Sequence, residues 1–124
     1  MREIKFRGWN KELNNFIYGE TILLQEYNNR WVMLVDNELG EEWVYIEEPQ
    51  QYTGLKDYND YEIYEGDIFN IYENGNEYNY KIVYDGDCFM LAFIDSSQGS
   101  YPLSAKYRFS KVIGNIYENP ELVS

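Results

Sequence analysis

The sequence predicts a mainly β protein, with an α+β class as the alternative, and two observations carry that prediction. Short runs rich in Tyr, Ile, Val, Phe and Trp are punctuated by Gly, Asn and Asp, as in chains of short strands and tight turns. Aromatic residues make up 19% of the 124 residues, including 14 Tyr, and Tyr favours pleated, half-buried surfaces. We expect an N-terminal β-hairpin unit over residues 1–49, a small SH3-like barrel over 50–119 and a tail over 120–124.

The first half consists of β-prone runs joined by polar turns. Asn28 and Asn29 form a two-residue step between two such runs, which is typical of a hairpin. A polar loop is expected over residues 36–40, and Pro49 marks the boundary between the two halves because Pro interrupts a strand. The strands predicted here are residues 2–9, 16–18, 21–27, 30–35 and 43–46.

The second half contains a turn over Asp57–Asp60, a run of residue types that bond their own backbone. Asn74 and Gly75 indicate another hairpin, and Asp85, Gly86 and Asp87 mark the next turn, so the strands on either side of these turns form a three-strand meander. A polar loop is expected over 95–100, and residues 103–109 are expected to form one helical turn or irregular cover. The strands predicted here are residues 67–73, 77–84, 88–94 and 112–117.

Four segments of the chain carry a family resemblance. They are the opening Arg2–Asn10, the central Thr53–Asp57 and Glu62–Ile68, and the closing Val112–Leu122. These segments resemble the YopX family of bacteriophage and prophage proteins. Because they lie at the start, middle and end in the same order, the resemblance spans the whole chain. It implies a phage origin and a mostly β structure, and it implies no known activity.

The charge balance limits the kind of partner. The formal net charge is −12 and the isoelectric point is near 4.3. Nucleic-acid binding works through Lys and Arg that displace counterions from phosphates, so direct nucleic-acid binding is not expected. An acidic surface instead suits a basic protein surface, and one alternative function is a nucleic-acid mimic that binds a basic host protein.

The absence of some residue types limits the catalytic and metal-binding chemistry that we expect. The chain has no His, which removes the usual general base near neutral pH and the commonest transition-metal ligand. Cys88 is the single cysteine, so neither an intrachain disulfide nor a cysteine zinc cluster is expected. No cofactor is predicted. No apolar run is long enough to cross a membrane, and we expect the protein in the cytoplasm of the bacterial host.

Carboxylates offer the one route to catalysis. Asp67, Asp85 and Asp87 converge if the strand ends of the barrel meet, and three carboxylates can hold Mg²⁺ or serve as acid and base. A divalent-metal-dependent phage enzyme is therefore a second alternative function. The acidic turn at residues 57–62 resembles half of a calcium loop, but it lacks the Gly and the final bidentate Glu at the required spacing.

The aromatic residues give the leading functional hypothesis. Trp9, Trp31 and Trp43 lie in strand-like segments, and an apolar patch rimmed by acids is how many protein interfaces are built. We therefore expect a non-enzymatic phage accessory protein that binds a host or phage protein and that forms a homo-oligomer. The three Trp residues are the candidate interface residues.

Overall fold

The computed structural model describes residues 5–19, 21–73, 75–85, 87–94, 100–104 and 110–123. These residues form short β-strands and one 3-10 helix, Pro120–Leu122, and the described ranges contain no α-helix. The prediction of a mainly β protein is therefore confirmed. The strands are β1 (Phe6–Asn10), β2 (Asn15–Gly19), β3 (Ile22–Gln25), β4 (Arg30–Asn37), β5 (Gly40–Ile46), β6 (Gln50–Lys56), β7 (Glu62–Tyr64), β8 (Asp67–Glu73), β9 (Asn76–Asp85), β10 (Cys88–Phe93), β11 (Ser100–Pro102) and β12 (Lys111–Asn115).

The chain divides into two compact units, Met1–Tyr52 and Thr53–Ser124, which we call unit 1 and unit 2. In unit 1, β1 pairs antiparallel with β2 and with the start of β6. The strands β3, β4 and β5 form a separate three-stranded antiparallel sheet with β4 in the centre. Both sheets of unit 1 are therefore built from neighbouring hairpins, apart from the pairing of β1 with β6.

Two glycines allow the elements of unit 1 to pack closely. A Cβ atom on Gly8 would lie 2.4–2.7 Å from three side-chain atoms of Ile46. A Cβ on Gly19 would lie 3.1 Å from the sulfur of Met33. Ile46 and Met33 are themselves buried. A side chain at Gly8 would overfill this core, so β1 can lie against β5 only with glycine at that position.

The turns of the three-stranded sheet differ in length from those expected. The predicted hairpin forms, with Gln25 opposite Arg30, but its turn covers four residues, 26–29, so the predicted two-residue turn is wrong. Asn29 takes a positive φ of 55°, which Asn tolerates. The polar loop predicted over 36–40 is shorter, because β4 and β5 pair as far as Asn37 and Gly40. Gly40, at φ 112°, makes that tight reversal possible.

Unit 2 contains a five-stranded antiparallel sheet with the order β11-β10-β9-β8-β12, curled into a half-barrel. The predicted meander is confirmed, because β8 pairs with β9 and β9 with β10. Strand β7 lies beside the part of β6 that belongs to this unit. One buried cluster forms the core. Its members are Ile63, Phe69, Ile71, Tyr80, Ile82, Phe89 and Leu91.

The closing strand ends earlier than predicted. Strand β12 pairs with β8 and ends at Asn115, whereas the sequence predicted a strand as far as Tyr117. The side-chain oxygen of Asn115 accepts hydrogen bonds from the N–H groups of Tyr117 and Glu118, at 3.0 and 2.9 Å. The chain therefore turns at this point, because these backbone donors are satisfied locally.

Some predictions fall on residues outside the described ranges. They are the start of the first strand at residues 2–4, the turn residues Asn74 and Gly86, most of the polar loop at 95–99, and residues 105–109 of the expected helical turn or cover. A search of the described residues for helices finds none with the length and apolarity that a membrane span requires.

Candidate functional site

One side of the three-stranded sheet in unit 1 is lined by apolar and aromatic side chains. Residues directly opposite each other in an antiparallel ladder point to the same side. Val32 lies opposite both Leu23 and Tyr45, and Leu34 lies opposite Trp43. These five residues therefore share one side of the sheet, which we call the aromatic face.

The aromatic face is exposed at its margins. Trp43 is 47% exposed, Leu23 45% and Tyr45 37%, while Val32 in the central strand is buried. The other side of the sheet carries Met33 and Ile46, which are buried. The side that carries Met33 and Ile46 thus contributes to the core of unit 1, although Leu24 on that side is 41% exposed, and the aromatic face presents Leu23, Trp43 and Tyr45 to solvent.

Polar groups hold the aromatic rings in place. The Arg30 guanidinium lies 3.7 Å from the centre of the Tyr45 ring, a cation–π contact that also covers part of the ring. A hydrogen bond with Tyr45 raises the pKa of Tyr27 above its ordinary value of 10.0, because losing the proton would lose that bond. The Tyr27 phenol therefore stays neutral at physiological pH.

A cleft of about 240 Å³ opens beside β5. Trp43 and Tyr45 line it from the aromatic face, and Trp9 lines it from the end of β1. Lys11 and Glu47 form an ion pair at 3.1 Å and also line the cleft. The cleft combines aromatic walls with charged groups of both signs, as sites for side chains of a protein partner commonly do.

The segment that builds this sheet is strongly acidic. Residues 21–48 hold seven acidic residues and one basic residue, Arg30. The acidic residues are Glu26, Asp36, Glu38, Glu41, Glu42, Glu47 and Glu48. Half of the formal net charge of −12 therefore falls on this segment. Such a field attracts basic surfaces and repels acidic ones.

The three Trp residues singled out from the sequence occupy different environments. Trp9 is buried and packs edge-to-face on Phe16, with ring centres 5.0 Å apart. Trp31 is half-buried and lies opposite Ile46, on the side of the sheet away from the aromatic face. Trp43 is exposed. The structure brings Trp9 and Trp43 to one cleft, and places Trp31 elsewhere.

Sequence reasoning missed the other members of the aromatic face. Leu23 and Tyr45 lie on it, and neither was singled out as an interface residue. The period-two alternation of the strands carried the necessary signal, because it assigns alternate residues to opposite sides. Its use required the pairing register, and the five-residue loop predicted over 36–40 would place Val35 opposite Glu41, whereas Val35 lies opposite Glu42.

The carboxylates considered for a metal site have separate surroundings. Asp67 is buried, and its Oδ2 accepts a hydrogen bond from the Tyr64 N–H at 2.8 Å. Asp85 and Asp87 are exposed next to the turn between β9 and β10. Within the described ranges, no three His, Cys, Asp or Glu residues come together in a group that could hold a metal ion. The metal hypothesis rests on the sequence alone.

Asp57, in the acidic turn, has its carboxylate occupied by the backbone. Its Oδ1 accepts hydrogen bonds from the N–H groups of Asn59 and Tyr61, both at 2.9 Å. Its Oδ2 accepts one from the Val112 N–H, also at 2.9 Å. These bonds engage both carboxylate oxygens, so Asp57 links its own turn to β12.

Comparisons with known proteins agree with this architecture. A family model described as YopX protein matches residues 5–124. The crystal structure of protein EF1440 from Enterococcus faecalis is similar, with a TM-score of 0.64 and 26% sequence identity, and the alignment covers 100% of both chains. No curated protein matches the sequence.

Proposed function

The chain belongs to the YopX protein family, and from that premise we propose that it is a phage or prophage accessory protein that binds another protein inside the host. The observation that carries the proposal is the aromatic face, where Leu23, Trp43 and Tyr45 expose large apolar side chains. Exposed apolar patches with a charged surround are typical of protein interaction sites.

Charge supports a basic partner for this face. The sheet segment at residues 21–48 carries seven acids and one base, so a second copy would bring like charges together. A basic protein surface would be attracted instead, and its encounter would be accelerated. We therefore assign the aromatic face to the binding of a basic protein. The homo-oligomer expected from the sequence is a separate proposal, and light scattering on the purified protein tests it.

The test is capture of partners from host lysate by tagged protein, with identification by mass spectrometry. Trp43→Ser removes the most exposed aromatic side chain of the face and should weaken capture of the partner about tenfold, as truncation of an aromatic anchor does. Tyr72→Ser in unit 2 is the matched control, because Tyr72 is also exposed, at 69%, and lies far along the chain.

Salt separates the two contributions to binding. Capture held mainly by charge weakens steeply as salt is raised, while capture held by apolar contact changes little. We expect a measurable salt dependence together with sensitivity to Trp43→Ser. Equal capture by both folded variants would overturn the assignment of the aromatic face.

A further inference from the structure

The outer edge of β5 presents backbone hydrogen-bonding groups that face away from its sheet. Strand β5 is the last strand in the order β3-β4-β5. The carbonyl of Tyr45 accepts a hydrogen bond from Asn10 Nδ2 at 2.9 Å, so it points away from β4. Backbone direction repeats every two residues along an antiparallel strand. The N–H and C=O groups of Trp43 and Glu41 therefore also point away from β4.

Strand β1 covers only one end of this edge. The Glu47 N–H donates to the Trp9 carbonyl at 2.9 Å, and Asn10 bonds Tyr45. Within the described part of the chain, no backbone hydrogen bond beyond the β4 ladder engages Trp43 or Glu41. The edge is thus closed at Glu47 and open from Trp43 to Glu41, which is the arrangement that an added strand can extend.

The cleft lies where the open part of the edge meets the covered part. Trp43 and Tyr45 form its wall on β5, and Trp9 forms its wall on β1. When an extended peptide adds to a sheet edge, main-chain hydrogen bonds supply affinity and pockets for alternate side chains supply specificity. The open edge of β5 and the cleft beside it lie next to each other in this way.

The charges at the edge of β5 indicate which kind of strand can pair with it. Glu41 and Glu42 lie on β5, and the chain has no Lys or Arg between Arg30 and Lys56. Two copies of this edge would repel each other, since each would bring the same acids. Basic side chains on an incoming strand would instead face carboxylates. The charges therefore disfavour pairing of this edge with a second copy and favour pairing with a basic segment.

We propose that the outer edge of β5 binds an extended, basic segment of the partner protein by β-strand addition, with one side chain of that segment in the cleft beside Trp43. The inference rests on the proposed function, and it specifies how the partner is held. It assigns a role to the backbone of Glu41 and Trp43, in addition to the role of the aromatic side chains.

The probe is a short synthetic peptide in which lysine and valine alternate, titrated into the full-length protein. Amide hydrogen exchange is followed by NMR. In the free protein, the Glu41 and Trp43 amides should exchange rapidly, because they face away from the ladder, and the added strand should slow their exchange at least tenfold. The same peptide with glutamate in place of lysine should bind weakly or not at all.

A pair of substitutions isolates the backbone contribution. Glu41→Pro removes an outward N–H without removing a bond to β4, a position at which Pro is tolerated on an edge strand. Glu41→Gln makes the same charge change and keeps the N–H. We expect Glu41→Pro to bind the lysine–valine peptide about fivefold more weakly than Glu41→Gln does, as loss of one hydrogen bond predicts.

The outcomes separate this inference from the proposed function. Slowed exchange at Glu41 and Trp43 on peptide binding supports strand addition, and this readout on the unmodified protein does not depend on whether the Pro variant folds. Binding without slowed exchange there overturns strand addition, as does the absence of binding at millimolar peptide. In either case, loss of lysate capture in Trp43→Ser would still support the proposed function, which fails only if that capture persists.

Discussion

At the scale of single residues, one carboxylate joins two distant parts of unit 2. Asp57 accepts backbone hydrogen bonds from Asn59 and Tyr61 in its own turn and from Val112 in β12. Its side chain is buried, so water does not readily replace these bonds. The residue therefore fixes both the turn and the position of the closing strand.

Replacing this carboxylate should be costly. In Asp57→Ala the three N–H donors lose their acceptor, and we expect the free energy of unfolding to fall by about 3 kcal/mol. Urea denaturation measures the change. Asp87→Ala, at an exposed site, should change it by less than about 0.5 kcal/mol. Similar values for the two variants would show that the Asp57 bonds contribute little.

The sequence predicted the local role of Asp57 in its turn, but it did not predict the hydrogen bond to Val112. Its place in a run of turn-forming residues predicted the reversal at 57–60, because Asp bonds nearby backbone groups. The bond to Val112 could not be predicted, since it joins residues 55 positions apart and depends on the pairing of β12 with β8. Local chemistry can be inferred from neighbours, while a long-range acceptor requires the fold.

At the scale of elements, alternation and turn signals predicted most strands of the described ranges, but the lengths of two turns in unit 1 were not predicted correctly. The hairpin of β3 and β4 was predicted, but its four-residue turn was not. That error moves the register by two residues and leaves the sides unchanged. The loop predicted over 36–40, however, moves the register of β4 and β5 by one residue, which exchanges the two sides of β5. The aromatic face could therefore not be assigned from the sequence alone.

The tight reversal between β4 and β5 gives a prediction at this scale. Gly40 has φ 112°, and a Cβ placed on it would have no other atom within 4 Å. The cost of Gly40→Ala is therefore conformational, and we expect about 1 kcal/mol of lost unfolding free energy. Thermal or urea unfolding would measure it.

The neighbouring position is the control for this reversal. Leu39 is 98% exposed, so Leu39→Ala should change the unfolding free energy by less than about 0.5 kcal/mol. An equal loss in Leu39→Ala and Gly40→Ala would indicate that the turn is sensitive to any substitution and that the positive φ is not the cause.

At the scale of the whole molecule, the net charge of −12 opposes compaction through repulsion between carboxylates. Salt screens this repulsion, so the Tm should rise when NaCl is added. A matched series with MgCl₂ at the same ionic strength tests the carboxylate–metal alternative. We expect the same Tm in both salts, because the described residues form no group of three ligands.

A further rise in Tm that is specific to Mg²⁺ would contradict this expectation, since a ligand that binds only the folded state stabilises it. Asp85→Ala and Asp87→Ala are suitable follow-up variants, because both residues are exposed and their loss should not disturb the core. Loss of a Mg²⁺-specific rise in these variants would favour the divalent-metal enzyme over the binding protein.

The bond between Asp57 and Val112 also bears on the order in which the chain folds during synthesis. The pairs that build the sheets of unit 1 all lie within residues 6–51. Unit 2 needs β12 for its edge and for the third bond of Asp57. Domains generally fold as units, with the N-terminal one first during synthesis. Unit 1 can therefore fold before β12, the last strand of unit 2, has left the ribosome. The surface assigned to the partner is thus available before the rest of the chain is finished.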